Sequence, residues 1–472
     1  MPLRGAPRWI DAPIRGCYCR AHSTRSLRRM SPSPQHRLRP WLKKLGALLL
    51  FILVLHAIAA MDWWCPAPSS ESPRVVAAAA FKGPLQAGAG VEDIIVPLPV
   101  ASAGYGPLRP SATEATTPLA IRALVLQSGD VRVAIVSAEL LTPPSAMRRS
   151  LAGLLQELKV TELLVTATHT HSSMGSYEPS SLFQLGGVGR FRPAASQAVI
   201  AATSSALRRA VEALTPVSVE LGEGSVPDLI VSRGRDEPQA DARLTRLVFR
   251  HEQRKVAELS IFSAHPTLAP HKSRTLSGDY PGRYSRTMEE EGGVVLFLQG
   301  MVGNARAALP PREGDASSRD ALFATLLTHA ARGIHPTPVP AEGLAYTRVQ
   351  VKLPRPDASR LVPVGLHGIT ENALCHLGPR QAEASRLSLG SASLLFMPAE
   401  VTLPAGRLIE DAGGATRVIS LTGDYIGYLD SPEHVRNQSG ESQLQYFGPE
   451  LLETFVRAAA LTTSSLEGPR PP

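Results

Sequence analysis

ELLVTATHTHS, residues 162–172, opens as an apolar run of strand length and closes on two histidines one residue apart. The run Glu162 to Thr168 is rich in Leu, Val and Thr, which suit a pleated, buried surface. In an extended segment the side-chain period is two, so His169 and His171 leave the strand end on one face. Two imidazoles on one face can bind one metal, or one can bind while the other handles protons. Taken alone, the pair is equally compatible with a hydrogen-bonded couple that holds no metal.

Similar segments flank this stretch on both sides. Upstream lie strand-like runs Ala123 to Gln127 and Val131 to Ser137 and a helix-patterned segment Ser145 to Lys159. Downstream come a helix over Ala194 to Leu214 and strands at Val217 to Leu221, Leu244 to Phe249, Ala257 to Ser263 and Gly293 to Gln299. A helix over Ser317 to Gly333 and strands at Ala392 to Met397 and Arg417 to Leu421 complete the series. Such alternation argues for one large α/β domain with a mixed or largely parallel sheet. No residue repeat is visible inside it.

Three further motifs sit just past strand ends. Ala264-His265-Pro266-Thr267 is followed by Ser277-Gly278-Asp279-Tyr280-Pro281-Gly282, where Pro281 marks a helix start; His271 nearby is a competing donor. Phe396-Met397-Pro398-Ala399-Glu400 ends a strand in a carboxylate, and Leu421 to Tyr428 runs into a loop with two phenols. Each is bland alone. Together they occupy the C-terminal ends of strands, where α/β sheets place ligand sites. Two His, a carboxylate and a phenol make a first shell suited to zinc.

Composition narrows the rest. The 472 residues are 43% hydrophobic and 19% charged, which excludes a wholly disordered chain and a multi-spanning membrane protein. The net charge of +8 is uneven: residues 1–44 hold eleven Lys or Arg against Asp11, a net of +10, so the remainder carries −2. A general nucleic-acid surface therefore has no support. Leu45 to Met61 is seventeen residues without formal charge, interrupted by His56, and comes directly after the basic arm. It reads as a signal anchor that exports the downstream domain, with Trp63 and Trp64 at the interface; Ala57-Ile58-Ala59 also fits the cleavage pattern of a signal peptide. Met30 is an alternative start. The expected domains are an arm at 1–44, the anchor or signal at 45–61, a tether at 62–84, the catalytic domain at 85–461 and a tail at 462–472. The expected location is the cytoplasmic membrane as a single-pass protein with the domain outside, or secreted after cleavage. Cys17, Cys19, Cys65 and Cys375 give neither a disulfide framework nor a Cys-based zinc site.

In order and spacing these segments resemble the catalytic domain of the neutral (non-lysosomal) ceramidases and their bacterial relatives. The likeness runs from Gly88 to about Leu461. It starts with Ala89-Gly90-Val91-Glu92-Asp93-Ile94, Ala103-Gly104-Tyr105-Gly106 and Ile121 to Leu126, with Glu139 where the family usually has Asp. The ATHTHS, SAHPT, SGDYPG, PAE and GDYIGY stretches come next in family order, and Tyr446-Phe447-Gly448-Pro449 resembles its closing YGP. The resemblance implies zinc held by His169, His265, Glu400 and Tyr428, with His171 facing the substrate as hydrogen-bond partner or proton carrier. Arg233 takes the place of a substrate-contacting Arg, with Arg235 as rival. The implied reaction is hydrolysis of an N-acyl sphingolipid amide, by zinc-bound water, to fatty acid and amine.

Three departures weigh on the substrate. In the loop Phe297 to Arg306, which contributes Gly303, Asn304 and Arg306 to substrate binding, Asn304 replaces a family Asp and Arg306 falls at a Ser position. Gly440 stands where a second Tyr is expected. The chain leaves no room for the β-sandwich that comes after this domain in typical ceramidases. The alternatives are a zinc hydrolase of the same fold acting on another amide or an ester, and a membrane-tethered binding protein with a degenerate site.

Overall fold

The computed structural model describes residues 35–59, 71–106, 109–115, 117–234, 237–270, 272–309, 318–340 and 342–464. The arm up to residue 34, Met30, Trp63, Trp64, Arg235, His271 and the tail beyond 464 lie outside the described residues. Two units result, 1–55 and 56–472. The helix Gln35–Ala59 lies in the first unit as far as Leu55. Its apolar run from Leu45 to Leu55 is interrupted at His56. At 1.5 Å per residue eleven residues reach roughly 16 Å, against about 30 Å of bilayer core. No helix among the described residues is long and apolar enough to cross a membrane, and the expected span at Leu45 to Met61 is not upheld.

The second unit is built on three five-stranded sheets. Sheet I is ordered Glu162–Ala167, Val131–Ala138, Ala120–Ser128, Gln86–Asp93, Thr215–Pro216. Sheet II is ordered Val294–Gln299, Arg254–Phe262, Arg243–His251, Ser218–Ser225, Thr337–Val339. Sheet III is ordered Arg417–Ile419, Ala392–Phe396, Gln381–Leu389, Leu344–Lys352, Arg74–Phe81. Their topologies coincide. Three consecutive strands run antiparallel. A helical crossover comes next, through Met147–Ser150 and Ala152–Glu157, through Asp279–Glu289, or through Leu403–Gly413, and the fourth strand then adds parallel to the third. A further helix succeeds it in each case: Pro193–Glu212, Arg319–Arg332 and Glu450–Ser464. In sheets I and II the chain then returns to the far edge of its own sheet. In sheet III that edge is filled instead by Arg74–Phe81, from the segment read as a tether.

The sheets are thus mixed, as expected, but not largely parallel. The cause is local. The second and third strands of each sheet are joined by two residues, with a positive φ at the first: Gly129 (54°), Glu252 (53°) and Gly390 (59°). Two-residue connections of this kind can link only antiparallel neighbours.

One face of every sheet turns to a shared core. Leu124, Ile135 and Leu164 of sheet I, Leu247, Leu259 and Leu298 of sheet II, and Leu387, Leu394 and Ile419 of sheet III belong to one buried cluster. The opposite faces are covered by the helices, giving three outer cores. Sheets buried on both sides explain why the strands read as nearly continuous apolar runs.

Candidate metal centre and active site

All four strand-end motifs come together, one or two from each sheet. His169 lies just past the fourth strand of sheet I, His265 past the third strand of sheet II, and Glu400 and Tyr428 past the third and fourth strands of sheet III. All four are buried. His169 and His171 are brought together, their Nε2 atoms 3.3 Å apart, but not by extended backbone: His169 has φ 67°, a left-handed turn. Leu421, at the corresponding exit from sheet III, is also left-handed at φ 56°. Such conformations are costly for non-glycine residues and concentrate at functional sites.

The ring nitrogens of the two buried histidines are sorted by the backbone. His169 Nδ1 lies 2.8 Å from Leu141 O and His265 Nδ1 lies 2.9 Å from Ala305 O, so each Nδ1–H donates to a carbonyl and each Nε2 presents a lone pair. Glu400 Oε2 is 3.3 Å from His169 Nε2 and 2.7 Å from His265 Nε2. Burial would raise the Glu400 carboxyl, but His169 and His265 beside it hold it well below the usual range. Burial, with the Arg233 charge, lowers His265 to about 4. With each Nδ1 turned to a carbonyl, the two Nε2 atoms and Glu400 Oε2 converge as a donor set suited to a cation. Ligands about 2.0–2.1 Å from a tetrahedral zinc stand ~3.3 Å apart. The His169–Glu400 and His169–His171 separations match that edge. Donor atoms of His169, His171 and His265 all lie within 4.8 Å of one another.

His171 differs from the other two. Its Nδ1 is buried without a hydrogen-bond partner. A ligating histidine ordinarily gives its second nitrogen to a carbonyl or carboxylate, as His169 and His265 do. Burial, then the neighbouring His169 and His265, pushes His171 well below an ordinary histidine, leaving it neutral.

Tyr428 OH lies 3.1 Å from His265 Nε2 and accepts from Arg233, whose guanidinium nitrogen is 2.9 Å away. Arg233 also holds Glu441 at 2.6 Å. Glu441 and Tyr425 are the site residues that sequence reading missed. Tyr425 OH donates to Glu400 Oε1 at 2.7 Å, leaving Oε2 for the histidines; its signal was its place three residues before Tyr428 in the same loop. Gly440 has φ 58°, and a Cβ there would meet His434 Nδ1 at 2.5 Å, so no larger side chain fits without movement.

The 297–306 loop divides. Gly303 packs on the backbone of 400–402, where a Cβ would meet Glu400 O and Thr402 N at 2.8 Å. Asn304 is buried and its amide is engaged: Nδ2 donates to Gln239 O, and Oδ1 accepts from Leu403 N at the start of the Leu403–Gly413 helix. Arg306 is exposed.

The fold is shared with known proteins. Residues 85–304 match the family profile described as neutral/alkaline non-lysosomal ceramidase, N-terminal. The neutral ceramidase of Mycobacterium tuberculosis is 26% identical over 209 residues, 40% of this chain and 33% of that protein, so the likeness spans about a third of the relative's length. The crystal structure of neutral ceramidase from Pseudomonas aeruginosa shares the fold with a TM-score of 0.70 at 19% identity, covering 83% of this chain and 76% of that one. A ceramidase structure complexed with C2 gives a TM-score of 0.68 at 19% identity over 82% and 76% of the chains. In its stretch 85–304, this chain is similar to the N-terminal domain of the neutral/alkaline non-lysosomal ceramidases.

Proposed function

We propose that the protein is a zinc-dependent amidase that hydrolyses an N-acyl lipid amide to a fatty acid and an amine. The observation that carries this reading is the convergence of His169 Nε2, His265 Nε2 and Glu400 Oε2, with each Nδ1 turned to a backbone carbonyl. With Tyr428 these residues would hold the ion. Bound there, zinc would supply polarisation of a carbonyl oxygen and a water whose pKa falls to about 7. The chain's own groups do the rest. Arg233, aimed at the Tyr428 hydroxyl, places positive charge where negative charge develops on the attacked carbonyl. His171, neutral and with a free Nδ1, takes the proton released by the attacking water and returns it to the amine nitrogen as the C–N bond breaks.

The test is metal content and hydrolysis of N-acyl sphingosine by the wild-type chain and a His169→Ala/His265→Ala variant. Stoichiometric zinc in the wild type, its loss in the variant, and activity removed by chelator and restored by zinc are expected. Equal zinc in both proteins would sink the assignment. The departures at Asn304 and Arg306 favour a second reading, in which the substrate is another amide or an ester, and a panel of N-acyl sphingosine, short amides and esters separates the two.

Export is part of the proposal. The eleven-residue run Leu45 to Leu55 behind a basic arm has the length of a signal-peptide core. Cys375 is disulfide-bonded, contrary to the sequence expectation of no such framework, and disulfides persist in oxidising compartments outside the cytoplasm. Fractionation of cells producing the chain, with thiol labelling under non-reducing conditions, tests both; a cytoplasmic chain with a free Cys375 thiol would overturn this.

A further inference from the structure

Arg306 lies in the short strand Ala305–Ala307, which pairs antiparallel with Ile230–Ser232 so that Arg306 faces Val231. Two independent registers fix the side of this ribbon on which its side chain stands. Along the partner strand, Arg233 is two residues beyond Val231 and so on the same face, and Arg233 reaches Tyr428 OH from there. Across the other edge, Arg306 forms a parallel bridge with His265, and bridged residues put their side chains on one side. Both relations place Arg306 on the face that carries the metal-site residues.

Among the described residues its charge is uncommitted. Arg233 is held by Glu441, whereas the Arg306 guanidinium has no ion pair or hydrogen bond among the described residues and is exposed. Its neighbour Asn304 is engaged on Gln239 and Leu403 and offers nothing to a ligand. A guanidinium with no partner among the described residues is a fork for a planar anion, which it can pair through two parallel hydrogen bonds.

We propose that Arg306 is a specificity residue that binds a carboxylate carried by the substrate next to its scissile amide, making the substrate an N-acyl amino acid rather than a neutral N-acyl amino alcohol. This rests on the amidase reading above. The substrate's carboxylate pairs with Arg306 while its amide carbonyl lies at the His169, His265 and Glu400 cluster; water adds to the carbonyl, the C–N bond breaks, and the amino acid leaves with the proton.

The experiment compares N-lauroylglycine with N-lauroylethanolamine, which differ in carboxylate against hydroxymethyl, on the zinc-loaded wild type, Arg306→Ala and Arg306→Lys. Equilibrium binding and turnover are both measured. The wild type should prefer the glycine conjugate, chiefly in KM, and Arg306→Ala should lose about tenfold more on it than on the ethanolamine conjugate, as expected for one partly exposed charged pair. Arg306→Lys should recover part of that loss, and salt should shrink the preference. A wild type that prefers the ethanolamine conjugate or N-acyl sphingosine, or an Arg306→Ala variant that loses equally on both, overturns the inference. Binding that shows the Arg306-dependent preference with no turnover of any amide would instead sustain the subsite and overturn the amidase reading.

Discussion

The two oxygens of Glu400 have separate duties. Oε2 faces His265 and His169, and Oε1 is held by the Tyr425 hydroxyl, so the carboxylate cannot swing without losing one partner. Tyr425→Phe keeps the ring packed against Phe183, at 5.5 Å between centroids, and deletes only that tether. The expected result is a zinc affinity lower by about tenfold, at the mild end for such supporting contacts, with an unchanged melting temperature. Competition against a graded chelator measures it, and an affinity equal to wild type would show that Oε1 needs no anchor. The convergence of His169, His265, Glu400 and Tyr428 was legible in the sequence because motifs at strand ends point to one place in an α/β fold, whereas Arg233 came only from the family resemblance. Tyr425 and Glu441 were not, since a phenol or a surface acid gains its role from a partner far along the chain: Glu441 and Arg233 are 208 positions apart.

At the scale of elements, the site depends on loops touching backbone to backbone. Gly303 N donates to Val401 O at 2.8 Å, and the missing Cβ is what allows that approach. Gly303→Ala should push Glu400 away from the histidines, lowering zinc affinity at least tenfold and stability by about 1–3 kcal/mol, typical of overpacking. Calorimetry with and without zinc would reveal it; a variant that binds zinc normally would mean that the loop yields elsewhere. Sheets I and III also meet at a charge. Glu162, at the start of the fourth strand of sheet I, lies 2.7 Å from Arg148 and 3.7 Å from Arg348 of sheet III. Burial, opposed by Arg148, raises its carboxyl from 4.5 to about 7. Below the unfolded value both states hold the proton and nothing is lost. As pH rises towards 7 the unfolded chain gives up a proton the folded one keeps, so the folded state loses stability, and the loss is complete above that. Glu162→Gln removes this dependence and should gain about 2 kcal/mol relative to wild type between pH 5 and pH 8. Denaturant midpoints at both pH values test it, and parallel curves would refute it. The strands themselves were readable from their apolar runs, but their pairing was not: an antiparallel turn of Gly129-Asp130 or Glu252-Gln253 is two residues in a long sequence, and the apolar runs look alike in either direction.

For the whole molecule, the decisive property is a threefold repetition of topology that no residue pattern betrays. Three copies of one strand-and-helix plan share a core, and the ends of their strands supply His169, His265 and the Glu400–Tyr428 pair. What a sheet needs is apolar residues on both faces, which many sequences satisfy, so the copies can diverge until only their backbones agree. The boundary at residue 85 marks the start of sequence likeness and not of the structure, because Arg74–Phe81 completes sheet III. A chain beginning at residue 85 should therefore expose the Leu344–Lys352 edge, melt at a lower temperature and self-associate; equal melting and a monodisperse profile in light scattering would contradict this. The same strand sets a timetable. Arg74 pairs with Gln350, 276 positions later, so during synthesis it waits on the order of tens of seconds for a partner. Until then two strand edges, its own and the one it will cover, remain open to other chains. The third copy therefore closes last and slowest, and production of the protein should respond to holding chaperones more than its finished stability would suggest.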